Sequence, residues 1–166
     1  STFLYDTLVH INESVGGNYS RLLSAIENSF MVSADNAHAL HPNYSEKSDP
    51  TNKVYMNEGI VIKFNANQKY MTDGLAFGIF TEICKKAKVP YQTFVNRSDV
   101  AGGSTLGNIS NAHVSINGVD IGLAQLAMHS PYETAGAKDT EYLVKLTKTF
   151  YETVIENQSG LAYTVK

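Results

Sequence analysis

The chain has 166 residues, of which 43% are hydrophobic, and its 13 basic and 16 acidic side chains give a net charge of -3. This length predicts about one globular domain, and the lack of a basic excess argues against a nucleic-acid-binding protein. No apolar run approaches the ~18 residues of a membrane span, no secretory signal pattern is present, and a single cysteine excludes an internal disulfide framework. We therefore expect a cytoplasmic protein that binds neither nucleic acid nor membrane.

Helical and strand spacings of apolar residues alternate along the chain. The predicted elements, in order, are helices over 2–13 and 19–28, a strand over 30–34, a long polar connection over 36–58, a strand over 59–65, a helix from 72 or 73 to about 88, a strand over 91–96, a glycine-rich turn over 98–107 that enters a helix, a strand over 114–121 and a helix over 139–156. Asp139 is expected to cap the last helix. Crossovers of this length suit parallel neighbours, so the sequence predicts an α/β fold with a layered, mostly parallel sheet flanked by helices.

Two side chains that follow apolar runs are candidate metal ligands. Asp35 comes where the run Phe30-Met31-Val32 ends, and His129 follows a second apolar run that stops abruptly. In open α/β sheets, such positions point functional groups into a crevice, and a carboxylate with an imidazole suits a divalent ion. Taken singly, each residue is also explained by a loop cap or an ordinary hydrogen bond.

Lys63 is the unusual residue in the strand Gly59-Ile-Val-Ile-Lys-Phe-Asn65. A charged side chain within a buried strand needs a partner or a water-filled cleft. Lys63 is therefore either a cation aimed at an anionic substrate or a strand-end lysine whose ammonium reaches solvent.

The remaining motifs are weaker. His38 and His41 have the spacing of a chelate on one helical turn, but Pro42 favours an extended His41, and such a chelate would also need further ligands nearby. The glycines of 102–107 suit either close approach of backbone to a ligand or a simple turn, and the lysine of a phosphate-binding loop is missing.

Cys84 has helical spacing from its apolar neighbours, which predicts a core residue rather than a nucleophile.

Five motifs occur together in one order along the chain. They are Ser33-Ala-Asp-Asn-Ala-His-Ala-Leu-His-Pro-Asn-Tyr44, Gly59-Ile-Val-Ile-Lys-Phe-Asn65, Gln68-Lys-Tyr70, Gly103-Ser-Thr-Leu-Gly107 and Asp120-Ile-Gly-Leu-Ala-Gln-Leu-Ala-Met-His-Ser130. In this order and spacing the chain, from about Phe30 to Glu156, resembles the aspartyl aminopeptidases, di-metal exopeptidases that include yeast vacuolar aminopeptidase I.

The resemblance implies a metal centre and a reaction. Asp35 matches a terminal carboxylate ligand of one metal, and His129 matches the imidazole ligand of the other. The expected cofactor is two divalent ions, zinc in the first place with manganese or cobalt as alternatives. In such enzymes a bridging water loses a proton to a glutamate base and attacks the first peptide carbonyl, which the metals polarise.

The resemblance also implies how the peptide binds. Lys63 matches the residue that receives the acidic side chain of the substrate's first residue, which suits an ammonium facing a carboxylate. Tyr70 and the backbone of Gly103 and Ser104 match groups that line the peptide. His41 matches a histidine near the catalytic site.

The chain departs from the family because it lacks the upstream ligands, which are a histidine, a bridging aspartate and a Glu-Glu pair that supplies the base. We therefore expect residues 1–29 to be a helical lead-in and residues 30–166 to be the C-terminal part of the metallopeptidase catalytic domain. Alone, the chain should neither hold two zinc ions nor hydrolyse peptides, since a catalytic zinc normally has about three protein ligands. A trimmed relative that has lost catalysis is the alternative.

The expected function of the whole protein is a metal-dependent aminopeptidase that releases N-terminal acidic residues. Two alternatives remain, namely a broad-specificity aminopeptidase that accepts neutral residues and a non-catalytic assembly or binding module with the same fold. The implied partners are peptide substrates, the remainder of the same polypeptide and other copies in a homo-oligomer.

Overall fold

The computed structural model describes residues 2–159 and 162–166. Its helices are α1 (Phe3–Ser14), α2 (Tyr19–Glu27), α3 (Gly74–Ala87), α4 (Leu106–Asn111) and α5 (Ala137–Tyr151), with a 3-10 turn at Ser45–Lys47. Its strands are β1 (Phe30–Ala34), β2 (Ala37–His38), β3 (Ile60–Phe64), β4 (Tyr91–Val95), β5 (Asn117–Gly122), β6 (Ala124–Leu126), β7 (Thr134–Ala135), β8 (Ile155–Asn157) and β9 (Tyr163–Val165). Among the helices in these two ranges, none is long and apolar enough to cross a membrane.

The main sheet has the strand order β1-β5-β3-β4. β1 runs parallel to β5 and β3 runs parallel to β4, whereas β3 and β5 are antiparallel. The predicted α/β class with a mostly parallel, helix-flanked sheet is confirmed, with one antiparallel junction at its centre. β1 is an edge strand of this sheet, and the chain that follows it leaves the sheet and enters β2.

Side-chain alternation along β3 separates the apolar core from the functional face. Ile60 and Ile62 are fully buried in the main apolar cluster, together with residues of α3 and α5. Val61 points to the other face, into a second cluster with Phe94. Since side chains two positions apart share a face, Lys63 lies on the same side as Val61 and away from the main core.

The polar connection predicted over 36–58 is folded against the sheet. β2 pairs in parallel with β6, which pairs with β7 in a small second sheet. Farther along, Val54 is 2% exposed, and its carbonyl accepts a hydrogen bond from the Leu40 N–H at 2.7 Å. A buried apolar residue and these short strands therefore fix a segment that composition alone predicts to be a loop.

The end of the chain differs from the sequence prediction. The last helix ends at Tyr151, and the β-branched run over 153–155 continues as extended chain into β8, which pairs with β9. Asp139 does not cap this helix, because the N-cap is Gly136. Its buried carboxylate instead accepts hydrogen bonds from the N–H groups of Asn57 at 2.6 Å and Gly59 at 3.0 Å, and so fixes the approach to β3.

The start of the chain agrees with the predicted helices. α1 and α2 pack on a third apolar cluster that contains Leu22, Ile26 and Val114. Val114 precedes the strand rather than beginning it, since β5 starts at Asn117. The division at residue 29 between a lead-in and a catalytic part stays a prediction.

Candidate functional site

A cleft of about 130 Å³ gathers most of the residues that the sequence singles out. Its lining residues include Asp35, His38, Lys63, Tyr70, Gly103, Ser104 and His129. They come from segments far apart in the chain, namely the end of β1, β2, β3, the loop before α3, the glycine-rich turn and the loop after β6. The fold therefore assembles one site from separate motifs.

Asp35 is held in place by its backbone. It directly follows β1, and its N–H continues the ladder by donating to the Ile121 carbonyl at 2.9 Å. Its side chain is 56% exposed and so remains available to a ligand. Gly122 permits this turn, since a Cβ at that position would overlap the Asp35 carbonyl.

Lys63 is a buried cation in the wall of the cleft, with only 2% of its surface exposed. Its Nζ donates a hydrogen bond to the Asp35 backbone carbonyl at 2.8 Å and lies 3.8 Å from the Asp35 carboxylate. Burial lowers the pKa of Lys63, while the negative charges of Asp35 and Asp120 oppose that shift. Of the two alternatives, the strand-end lysine that reaches solvent is therefore wrong.

Tyr70 covers Lys63, with the ammonium 5.1 Å from the centre of the ring. Burial raises the pKa of the Tyr70 phenol, and a hydrogen bond with Asn96 acts in the opposite direction. Phe94 packs against Tyr70, with ring centroids 6.4 Å apart. The ring therefore lies close to both a cation and an apolar neighbour.

Asp120 is a structural residue of the site that the sequence analysis missed. It is fully buried in β5, and its carboxylate accepts a hydrogen bond from the Met71 N–H at 2.6 Å. Its own N–H donates to the Thr72 hydroxyl at 2.9 Å. These bonds position the segment that carries Tyr70. The signal was present, because a carboxylate between Val119 and Ile121 is as unusual as a lysine in an apolar strand.

The glycine-rich turn contributes backbone to the cleft through Gly103 and Ser104. Thr105 caps α4 by accepting the Asn108 N–H. Farther in, Gly107 donates its N–H to the Ser33 hydroxyl at 2.9 Å, and a Cβ there would lie 2.9 Å from an Asp120 carboxylate oxygen. The turn therefore has glycine where it touches the sheet.

His129 lies in a loop with left-handed backbone at two residues, φ +55° at Ala127 and +66° at His129. Non-glycine residues adopt this conformation rarely, and it is frequent at functional sites. The His129 N–H donates to the Glu133 carboxylate at 2.7 Å, and the Ser130 N–H donates to the Ala127 carbonyl at 3.0 Å. These bonds direct the exposed imidazole into the cleft.

The two histidines of the His-x-x-His motif separate. His38 lines the cleft, and partial burial lowers the pKa of its imidazole, with further lowering by His129 and Lys63. His41 instead lines an adjoining cavity, where its Nδ1 accepts the Asn43 N–H at 3.1 Å. A shared chelate is not formed, and the catalytic role expected for His41 stays a prediction.

The cleft offers donors of the right type for a divalent metal ion, but too few. Within residues 2–159 and 162–166, no three His, Cys, Asp or Glu side chains lie close enough to hold an ion. Zinc sites normally use about three protein ligands. Asp35 and His129 therefore fit as partial ligand sets that need further donors. A strand-end carboxylate and an imidazole in one cleft are typical of metallohydrolases.

Comparisons with known proteins identify the family. Residues 1–151 match the family described as aminopeptidase I zinc metalloprotease (M18). A probable M18 family aminopeptidase 2 of Clostridium acetobutylicum is 48% identical over 151 residues, which are 91% of this chain and 35% of that protein. The chain belongs to the M18 aminopeptidase family, which confirms the resemblance, and it spans about a third of the length of the curated relatives it matches.

Solved structures agree with this assignment. A chain in a cryo-EM structure of the Ape4 and Nbr1 complex has a TM-score of 0.86 and 42% identity, covering 92% of this chain and 29% of that one. A structure of the S. cerevisiae mApe1 dodecamer has a TM-score of 0.70 and 27% identity, covering 78% of this chain and 28% of that one.

Proposed function

We propose that this chain is the C-terminal part of the catalytic domain of a metal-dependent aminopeptidase that releases N-terminal acidic residues from peptides. Membership of the M18 family supports the reaction class. The observation that carries the proposal is the convergence of Asp35, Lys63 and His129 on one cleft. The shortage of clustered metal donors in the part of the chain that the structure describes supports the further view that other parts of the same polypeptide complete the site.

Lys63 is the residue that selects the substrate. An ammonium has three donors, and the described contacts use one of them on the Asp35 carbonyl. The others are available for a carboxylate of the first residue of the peptide, which makes a strong, charge-assisted bond in a buried place. A neutral side chain leaves the cation without that partner, which is costly when the cation is buried.

Asp35 and His129 would each ligate one of two divalent ions, with zinc preferred to manganese and cobalt because of the family description. The ions, when bound, would polarise the first peptide carbonyl and activate water. Tyr70 and the backbone of Gly103 and Ser104 line the cleft and would orient the peptide. The glutamate base belongs to a part of the polypeptide outside this chain.

The whole protein is proposed to be a cytoplasmic homo-oligomer. One structural relative is described as a dodecamer, which supports the assembly. Completion of the cleft by the rest of the polypeptide and by assembly is consistent with the small number of metal donors among the described residues.

The proposal is tested on the longest open reading frame that contains this chain, loaded with zinc. The measurement is kcat/KM for fluorogenic aspartyl and leucyl substrates. Lys63→Met should lower the value for the aspartyl substrate about 10- to 100-fold, since a hydrogen bond to a charged group contributes about 1.5–3 kcal/mol. The leucyl value should fall less, because loss of the bond to the Asp35 carbonyl affects both substrates whereas loss of the carboxylate contact affects only the aspartyl one. Lys69→Met, in the same segment but exposed, is the matched control.

Two outcomes would contradict the proposal in different ways. An aspartyl-to-leucyl ratio that Lys63→Met leaves unchanged would indicate a broad-specificity aminopeptidase. Absence of hydrolysis in a folded, metal-loaded protein would indicate a non-catalytic module with the same fold.

A further inference from the structure

A second cavity, here called the adjoining cavity, lies next to the cleft and has a volume of about 380 Å³. His38 and Phe94 line both spaces. The other walls are the segment after β2, the segment after β4 and the end of β6. The segment after β2 and the end of β6 are continuous with the loops that carry Asp35 and His129. The adjoining cavity therefore lies next to the candidate metal ligands.

Most of the charged and amide side chains that line the adjoining cavity have partners within the protein. The pairs are Arg97 with Asp99, Asp49 with Asn52, Gln125 with Asn36, and His41 with the Asn43 N–H. Arg97 also donates to the Glu46 carbonyl. Lys47 is the remaining charged lining residue, and its side chain is exposed to water. No charge of the described lining is both buried and directed at a ligand.

The surface that remains for a ligand is apolar. It is made by side chains that share an aliphatic or aromatic character, namely Ala39, Tyr44, Phe94, Val95, Val100, Leu126 and Ala127. Val100 is 45% exposed although it is a large apolar residue. Covering such surface removes apolar area from water and so stabilises a complex.

The aromatic rings of Tyr70 and Phe94 lie between Lys63 and the adjoining cavity. Lys63 lies under Tyr70, and Tyr70 packs on Phe94. A peptide whose first side chain reaches Lys63, and whose first carbonyl lies between Asp35 and His129, must continue away from Lys63. His38 lines both spaces, and the segments next to Asp35 and His129 form walls of the adjoining cavity, so a chain that leaves the candidate metal ligands can enter it.

We infer that the adjoining cavity binds the second residue of the peptide, the one that follows the cleaved bond, and that it selects an apolar side chain there. This inference rests on the proposed aminopeptidase function. The full substrate class is then a peptide with an acidic first residue and an apolar second residue. The charge of Lys63 selects the first residue, and apolar contact selects the second.

The test compares three tripeptides, Asp-Leu-Gly, Asp-Ser-Gly and Asp-Gly-Gly, on the metal-loaded protein from the full reading frame. We expect kcat/KM for Asp-Leu-Gly to exceed that for Asp-Gly-Gly by about tenfold, with Asp-Ser-Gly close to Asp-Gly-Gly, as for other apolar pockets. Val100→Asp should lower the leucine-to-glycine ratio toward one. Val144→Asp, at a 66% exposed position on α5, should keep the wild-type ratio.

The comparison of peptides on the unmodified protein does not depend on how a variant folds. Equal kcat/KM values for the leucine and glycine peptides would overturn the inference while leaving the acidic first-residue preference intact. A ratio that Val100→Asp does not lower would also overturn it. Failure to cleave any of the three peptides would overturn the proposed function itself.

Discussion

The ammonium of Lys63 donates a hydrogen bond to the backbone carbonyl of Asp35 at 2.8 Å, and it lies 3.8 Å from the carboxylate of the same residue. Lys63 thus supports the backbone of the candidate metal ligand Asp35 and is itself the candidate substrate contact. Substrate selection and metal binding are coupled at this point, because a shift of the Asp35 backbone would move both.

The free energy of unfolding should depend on Lys63 at alkaline pH. Burial lowers the pKa of Lys63 in the folded chain, whereas the unfolded chain has the ordinary value of about 10.4. Between the two values the unfolded state binds more protons, so the contribution of Lys63 to stability rises with pH in that window and is constant below it.

This dependence is measured by urea unfolding of the wild type and Lys63→Met at pH 7 and pH 10. The difference in unfolding free energy should move in favour of the wild type at the higher pH. Lys69→Met is the matched control for the loss of a lysine. A difference that moves in favour of Lys63→Met would contradict the lowered pKa.

Gly122→Ala should destabilise the chain by on the order of 3 kcal/mol, as overpacking does. The added Cβ would overlap the carbonyl of Asp35, to which Lys63 donates, so backbone must shift. Gly78→Ala is the control, since nothing lies within 4 Å of a Cβ at that helical position. It should stabilise the chain by about 0.5–1 kcal/mol. Chemical denaturation of the wild type and the two variants measures these changes in stability. A similar denaturation midpoint for Gly122→Ala and the wild type would refute the close approach of Gly122 to the Asp35 carbonyl.

The thiol of Cys84 should be inert in the folded chain. It is fully buried, and burial raises its pKa to about 12, so the reactive thiolate is scarce at neutral pH. A thiol reagent at pH 7.5 should label it only after denaturation. Ser20→Cys adds an exposed cysteine, and this variant should take up one equivalent at once. Rapid labelling of the wild type would show that the core is not packed as described.

The 166-residue chain alone should hold less than two equivalents of zinc and should not hydrolyse aspartyl substrates, since its described part gathers no three metal donors. Equilibrium dialysis followed by elemental analysis measures the metal content, and protein from the full reading frame serves as the comparison. Two tightly bound zinc ions on the short chain would show that its own side chains suffice.

The sequence predicts those parts of the fold and site that depend on local pattern. Strand spacing is enough to place Asp35 at the end of β1, and the lysine within an apolar strand marks Lys63 as a candidate functional residue. Contacts between distant segments are not encoded locally. The carboxylate of Asp139 therefore looks like a helix cap in the sequence, but it bonds to Asn57 and Gly59 across the fold.

The histidines illustrate the same limit. Spacing alone treats His38 and His41 as a pair, whereas pairing of β2 with β6 directs His38 into the cleft and leaves His41 in the adjoining cavity. Asp120 has the same local pattern as Lys63, a charge within an apolar strand, but its partner, the Met71 N–H, lies in a distant segment that the local pattern does not identify. The helix predicted to reach Glu156 ends early because β-branched residues join a hairpin that periodicity cannot show.

The loop of His129 is held by contacts that it makes within this chain. Its left-handed residues and the bond from the His129 N–H to Glu133 belong to the folded chain itself. These contacts restrict the conformations of the loop, and such preorganisation favours tight capture of an ion, because less conformational freedom is lost on binding.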